Sequence, residues 1–591
     1  MLKYNTPAEQ DELFRKHKKL TRGYGSDRAT FPKMKVAILS GVTVHPLKDI
    51  LETLILDGGF QPDFFEGDYN AFAFEARFSE ELIQFEPEFV YLHTTIDNVV
   101  GKPSIASSES EATALVENFV EEIQSATTAL IRRTNASVVI NTLEFPNFRM
   151  NGNFEAVASG GMVRFISDVN DRLCQIARNN SRVLINDMNY LAAKVGLENW
   201  RNDQSYAAFK QPLTRRAVVE TARSVSALVL AAKGKSGKCL VLDLDNTMWG
   251  GIIGDDGVDG VEIGPDTPKG EGYHAFQSAI KPLLDRGIAF GVCSKNEEAT
   301  GLAGLNRTEM VIKEADFHAI RINWNQKSEN LKALKQIFNV GYDAMVFIDD
   351  SPFEREEVRF TLPDVKVPDV EPNPWSYIQA LSNSYAFETV VLTDEDLKRG
   401  ESFRSMATLA SKVDEGGDVS DFLKSLEMEA AICTVSEATQ TRVYQLINKT
   451  NQFNLTTLRA TEAEVTQHLG AETMLTASLK DRNSDYGLVS VLWGEVVGDT
   501  FTLRNWVMSC RVFNRRLEEY FFGDLCRRLA QNGVSRITAE YVPSKKNMPV
   551  EGLLPRLGFS EIEKEEGRTT FEFDISGGDV GMDAETRELY K

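Results

Sequence analysis

Residues 239–251 read CLVLDLDNTMWGG. The apolar run Cys239 to Leu242 fits a buried strand, and it ends abruptly in Asp243-Leu244-Asp245-Asn246-Thr247. Side chains alternate along a strand, so Asp243 and Asp245 leave it on the same side, at its carboxyl end. That edge is where open α/β sheets place ligands. Two carboxylates so close repel each other unless a cation neutralises them, and Mg²⁺ held by carboxylate and carbonyl oxygens would do so.

Outward from this stretch, two more apolar strands end in polar residues. IAFGVCSKN (288–296) delivers Cys293, Ser294, Lys295 and Asn296, and AMVFIDD (344–350) delivers Asp349 and Asp350. Lys327 opens a helical pattern in NWNQKSENLKAL (323–334), where an ammonium can hold a phosphate and balance the carboxylates. Only 47 residues separate Thr247 from Ser294. That leaves no room for a large cap domain, and WGGIIGDDGVDGVEIG (249–264) reads as a short glycine-rich hairpin. The site is therefore expected to be open to a large or tethered substrate.

D-x-D-x-T, then Ser294, Lys327 and Asp349-Asp350, in that order, resembles the signature of the haloacid-dehalogenase (HAD) superfamily. The resemblance implies Asp243 as the nucleophile that accepts a phosphoryl group and Asp245 as general acid and then base. Thr247 and Ser294 would hydrogen-bond phosphoryl oxygens, and Lys327 would stabilise developing charge. The implied Mg²⁺ site comprises Asp243, Asp245 through its backbone carbonyl, and Asp349 with or without Asp350. Lys295, Asn296, Gly250 and Gly251 are placed with the substrate-binding residues. DLDNTMWGGIIGDDG, VCSKN and FIDDSPFERE together resemble the FkbH-like proteins, HAD subfamily IIIC, over most of the chain.

That narrower resemblance implies removal of phosphate from a 1,3-bisphosphoglycerate-like three-carbon donor, coupled to glyceryl transfer onto the phosphopantetheine thiol of an acyl carrier protein. Two alternatives stand beside it. One is a plain phosphatase of a small metabolite in polyketide or surface-polysaccharide biosynthesis, and the other is a non-catalytic carrier-binding assembly protein. Under it, Cys293 reads as an acyl-accepting thiolate, against the alternative of a small buried residue ending a strand.

The flanks complete a multidomain α/β chain. Residues 1–32 read as a polar helical arm. Residues 33–232 alternate strands and helices, as a parallel sheet requires, and resemble a diverged SGNH-type hydrolase with Ser40-Gly41 at the nucleophile block. Asn141 follows a later strand, but Asp187 is followed by Tyr190 where D-x-x-H would place histidine, so this unit is expected to be non-catalytic. KGKSGK (233–238) reads as a linker, and 238–378 as a capless, Rossmann-like HAD unit. Residues 385–575 resemble a GNAT-type α+β unit, with helical patterns at 402–412, 418–426 and 438–449 and strands in GLVSVLWGEVVG and TFTLRNWVMS. Arg511 is followed by Asn514 and Arg516 where that fold carries glycines, and side chains there would crowd the phosphates, so acetyl-CoA catalysis is not expected. Arg511, Arg515 and Arg516 could face a phosphopantetheine or an acidic carrier, or form a solvated helix face. Residues 576–591 read as a flexible tail.

Composition bounds these readings. The 591 residues carry 65 Lys+Arg against 87 Asp+Glu, a net charge of −22, which argues against a nucleic-acid partner. No apolar run of ~18 residues and no apolar leader is present, so neither a membrane span nor a signal peptide is expected. Six scattered cysteines without a CxxC pair fit reduced thiols and a cytoplasmic chain.

Overall fold

Runs of Val, Ile, Leu and Phe alternate with capped helices and build three sheets among the described residues. The computed structural model of the chain describes residues 7–21, 31–392, 394–397, 400, 403, 423–482, 485–513, 515–544, 547–565, 567–575 and 584–590. The chain divides into two units, Met1–Ala232 with Glu388–Val391, and Lys233–Phe387 with Leu392–Lys591. No helix is long and apolar enough to cross a membrane among the described residues.

In the first unit, β1 (Lys33–Ser40), β2 (Gln61–Glu66), β3 (Phe89–His93), β4 (Ser137–Asn141) and β5 (Val183–Asn186) form a parallel sheet in the order β2-β1-β3-β4-β5. β3 is buried along its whole length, as expected of an inner strand covered on both faces. The helix Glu109–Arg133 starts at a capping box in which Ser108 and Glu111 satisfy each other's backbone N–H groups. The N-terminal arm is not merely polar. Its helix Pro7–Thr21 buries Leu13 completely among the core side chains of this unit, and Lys16 pairs with Asp57 at 2.5 Å.

In the second unit, β6 (Cys239–Leu242), β7 (Ala289–Ser294), β8 (Ala319–Ile322) and β9 (Met345–Ile348) form a parallel sheet in the order β8-β7-β6-β9. β6 is central and fully buried, so the polar residues that follow it are carried on a rigid support. Between β6 and β7 lie the one-turn helix Ile253–Asp256 and a single antiparallel bridge, Gly250 to Glu262, followed by the helices Pro268–Ile280 and Pro282–Asp285. No folded lid domain is inserted there.

The remaining strands are β10 (Glu429–Thr434), β11 (Phe453–Asn454), β12 (Met474–Lys480), β13 (Asp485–Val497), β14 (Thr500–Met508), β15 (Arg536–Tyr541), β16 (Ser560–Glu565) and β17 (Arg568–Asp574). They form a mixed eight-stranded sheet with Trp506, Phe521 and Phe522 in its core. β14 and β15 pair in parallel only over Thr500–Leu503, and beyond that β14 turns to β11, so the sheet splays. The helical pattern at 438–449 corresponds to the helix Gln440–Lys449. The patterns at 402–412 and 418–426 lie mostly outside the described residues.

The tail differs from expectation at its far end. Ala584–Leu589 is helical, and Leu589 and Tyr590 are buried. Tyr590 Oη donates to Arg515 O at 2.6 Å, and its ring lies 4.6 Å from that of Tyr520. Two apolar side chains in the last turn anchor a segment whose composition reads as loose.

Candidate active site

The carboxyl ends of β6 and β9 and the first turn of the helix Lys327–Phe338 meet at one point. Asp243 follows β6, and its backbone N–H donates to Ile348 O of β9 at 3.0 Å. Lys327, 2% exposed, places Nζ 2.6 Å from Asp243 Oδ1, 2.8 Å from Cys293 O and 3.0 Å from Asp349 Oδ2. One carboxylate oxygen each from Asp243, Asp349 and Asp350 lies within 4.8 Å of the others.

Two buried acids, Asp243 and Asp349, and the half-buried Asp350 against one ammonium leave an excess of negative charge. Burial works against the charge on Lys327, but Asp243 and Asp349 outweigh it and hold the ammonium well above the usual lysine range. Burial, with repulsion from Asp243, pushes Asp349 up to about 7 and Asp350 up to about 6. The donor set suits a hard divalent cation: it is all oxygen, anionic and convergent, with a net surplus of negative charge. Thr247 Oγ1 is also buried without a hydrogen-bond partner, as a group awaiting an oxygen ligand would be.

Asp245 takes a different position. Its carboxylate accepts from Trp249 Nε1 (2.9 Å), Ile253 N (3.1 Å) and Asn296 Nδ2 (2.8 Å), and it is not part of the three-acid cluster. A side-chain metal contact from Asp245 is therefore not what the geometry offers. Burial raises its pKa against the pull of those three donors.

Ser294 is buried beside Asn296, whose Nδ2 lies 3.4 Å from Ser294 Oγ. Other expected site residues are engaged elsewhere. Lys295 donates to Glu354 at 2.6 Å, so a neighbouring carboxylate takes its ammonium before any substrate does. Gly251 has φ +104°, and a Cβ on Gly250 would come within 2.8 Å of the Tyr273 ring. Both glycines are explained by the turn and its packing rather than by a ligand.

Cys293 corrects the acyl-thiolate reading. Side chains alternate along β7, so while Ser294 faces the site, Cys293 enters the core with Leu331, Leu334 and Phe338 and is 0% exposed. Burial pushes its thiol up to about 12, so it stays neutral.

The arginines correct a second reading. Arg515 is 1% exposed, donates to Tyr486 Oη at 2.7 Å, and lies 3.6 Å from Asp481. Arg511 is 2% exposed, and Arg516 donates to Glu519 at 2.6 Å. The trio is mostly internal framework, not a basic face for a carrier. Asn514 lies outside the described residues.

In the first unit, Ser40 Oγ donates to Val42 O at 2.6 Å and lies 3.2 Å from His93 O, so its hydroxyl has no imidazole to activate it. Burial lowers His93 to about 3, and its Nδ1 sits 2.8 Å from Tyr91 Oη.

Sequence reading missed three supports of the site. Arg355 donates to the carbonyls of Asp349 (2.8 Å) and Asp350 (2.7 Å), and Tyr377 donates to Asn246 O at 2.7 Å. Trp249, with its hold on Asp245, is the third. An arginine one turn into the helix after a D-D pair, and a tryptophan four residues after Asp245, are the only local signals for two of them. Tyr377, 131 residues from Asn246, leaves none.

No family model and no curated protein matches the chain. Among solved structures it is similar to the N-terminal part of a Bacteroides fragilis protein containing a phosphatase domain, complexed with Mg. That structure is 27% identical, covers 65% of this chain and 99% of its own, and superposes with a TM-score of 0.60. Two acetyltransferases match smaller portions, each at a TM-score of 0.21. The ribosomal-protein-S18-alanine N-acetyltransferase of Escherichia coli is 18% identical and covers 25% of this chain and 96% of its own. A GNAT-family enzyme of Streptococcus pneumoniae is 12% identical and covers 25% and 100%.

Proposed function

We propose that this chain is a Mg²⁺-dependent phosphoryl-transfer enzyme of the HAD type, acting at Asp243. The observation that carries the reading is the meeting of Asp243, Asp349, Asp350 and Lys327, distant in sequence, around one point. The Mg²⁺ in the similar Bacteroides fragilis phosphatase-domain structure supports the choice of ion. Asp243, Asp349 and Asp350 would hold it, and when bound it neutralises the acids and the phosphoryl oxygens they face.

In this reading Asp243 attacks phosphorus, the bond to the leaving oxygen breaks, and Asp245 protonates that oxygen. Water, losing its proton to Asp245, then releases phosphate from the aspartyl-phosphate. Lys327, Thr247 and Ser294 hold the oxygens whose charge grows on the way.

The finer reading is FkbH-like. The phosphate removed is the ester phosphate of a 1,3-bisphosphoglycerate-like donor, and a carrier-protein thiol displaces the acyl phosphate to leave a glyceryl thioester. Burial of Cys293 removes an enzyme thiolate as an acyl relay, so transfer in this reading is direct from donor to carrier thiol; the second reading, plain hydrolysis of a small phosphorylated metabolite, needs no thiol at all. Phosphate release that requires Mg²⁺ and disappears in Asp243→Asn supports the first claim, and a folded protein inert toward phosphate esters and acyl phosphates sinks it. Intact-mass measurement of a phosphopantetheinylated carrier separates the finer readings: an added glyceryl mass supports transfer, and an unchanged mass alongside phosphate release supports hydrolysis.

A further inference from the structure

The Asp245 carboxyl is held unevenly. Oδ1 accepts two N–H donors, Trp249 Nε1 at 2.9 Å and the backbone of Ile253 at 3.1 Å, whereas Oδ2 accepts one, Asn296 Nδ2 at 2.8 Å. A carboxyl oxygen offers about two lone-pair sites, so Oδ1 is filled and Oδ2 keeps one free. The holders are rigid: Trp249 is 0% and Asn296 4% exposed. The glycine-rich loop makes this possible. Gly251 at φ +104° turns the chain so that residues 249 and 253, one on each side of it, reach the same oxygen.

We infer that Trp249, Asn296 and the Ile253 N–H form a three-donor seat that positions Asp245 for proton transfer, leaving Oδ2 as the oxygen that carries the proton. The inference rests on the reading of Asp245 as general acid. The step balances: Asp243 bonds to phosphorus, the phosphorus–oxygen bond to the leaving group breaks, and the Oδ2 proton passes to that oxygen, which departs as an alcohol while Asp245 becomes carboxylate. Trp249 and Asn296 are positioning residues, since they touch Asp245 and need not touch substrate. The seat matters most for an alkoxide leaving group, which cannot depart unprotonated, and little for a stabilised phenolate.

The test uses the full chain with Mg²⁺ and two probes, β-glycerophosphate and p-nitrophenyl phosphate. Trp249→Phe keeps a ring and removes the N–H. Its kcat/KM on β-glycerophosphate, which covers steps only up to departure of the alcohol, is expected to fall ~10- to 100-fold, part of the ~10²–10⁴ that general acids supply, while kcat/KM on p-nitrophenyl phosphate falls only ~3-fold or less. Asn296→Ala should show the same split, and it decides the matter if circular dichroism shows that Trp249→Phe does not fold. Equal losses on both probes, as a structural defect would give, overturn the seat, and so does a wild-type profile in both variants. If the wild type releases phosphate from neither probe, the reading of the site fails and the seat goes with it.

Discussion

Two parallel sheets in this chain end in the same way and do different things with it. β1 runs into Ser40 and β6 into Asp243, each at the carboxyl edge where α/β proteins carry ligands. At the first edge uncharged amide side chains are tied to one another and to backbone carbonyls. Asn186 Nδ2 donates to Asn141 Oδ1 at 2.8 Å, Asn141 Nδ2 to Thr94 O at 2.9 Å, and Asn98 Nδ2 to Gly41 O at 2.9 Å. At the second, three carboxylates face one ammonium. The difference teaches that the sheet supplies a location, and reactivity follows from charge left without a partner.

The comparison breaks most easily at Asp243, the nucleophile of the proposed reaction. Asp243→Asn should lower kcat for phosphate release by ~10³-fold or more, whereas Ser40→Ala, at the matching place in the other sheet, should leave it unchanged. Equal losses from both substitutions would mean that the first edge takes part in the reaction.

Cation binding should separate the edges next. At ~100 times its dissociation constant, Mg²⁺ should stabilise the second unit by about 2.7 kcal/mol. Calorimetry should show its transition alone moving up, and Asp349→Asn should abolish the shift. An equal shift in the variant would place the ion elsewhere.

The neutral edge has its own signature in pH. His93 has a folded pKa lowered to about 3 from 6.5, so the stability it carries is present above 6.5 and is lost as pH falls toward 3. Glu144, raised by burial to about 7 from 4.5, works the opposite way, carrying stability below 4.5 that is lost as pH rises through 7. The two oppose each other in the wild type. In Glu144→Gln, stability of the first unit to urea should therefore fall by about 1 kcal/mol between roughly pH 7.5 and roughly pH 5.5. A flat profile in that variant would show that His93 is not held neutral by burial.

The smallest effect belongs to Cys293. Cys293→Ala should cost about 1 kcal/mol of stability, as removal of a small buried apolar group does, with phosphate release reduced by ~3-fold or less. Loss of carrier acylation in that variant would restore the thiolate reading.

Much of the second edge was legible because its ingredients are local. β6, β7 and β9 are short apolar runs broken by charged residues, a pattern that survives without knowledge of the partners. The C-terminal sheet was less legible. β16 carries no continuous apolar run and is exposed throughout, and β10 has only a short run of mostly small residues that buries no side chain fully, so their ladders to β17 and β12 define them. Cys293 and Arg515 misled because cysteine beside an expected phosphate-binding serine and arginine in a basic cluster look functional, yet both are covered by residues far away in the chain.

By itself the sequence determined the kinds of charge and the order in which strands deliver them, because side-chain chemistry and strand periodicity are properties of neighbouring residues. Direction and burial belonged to the tertiary structure. Lys327 meets Asp243 across 84 residues, and Asp245 turns to Trp249 and Asn296 rather than to the acids. Those outcomes depend on which surfaces pack together, and packing is settled only when the whole unit closes on its core.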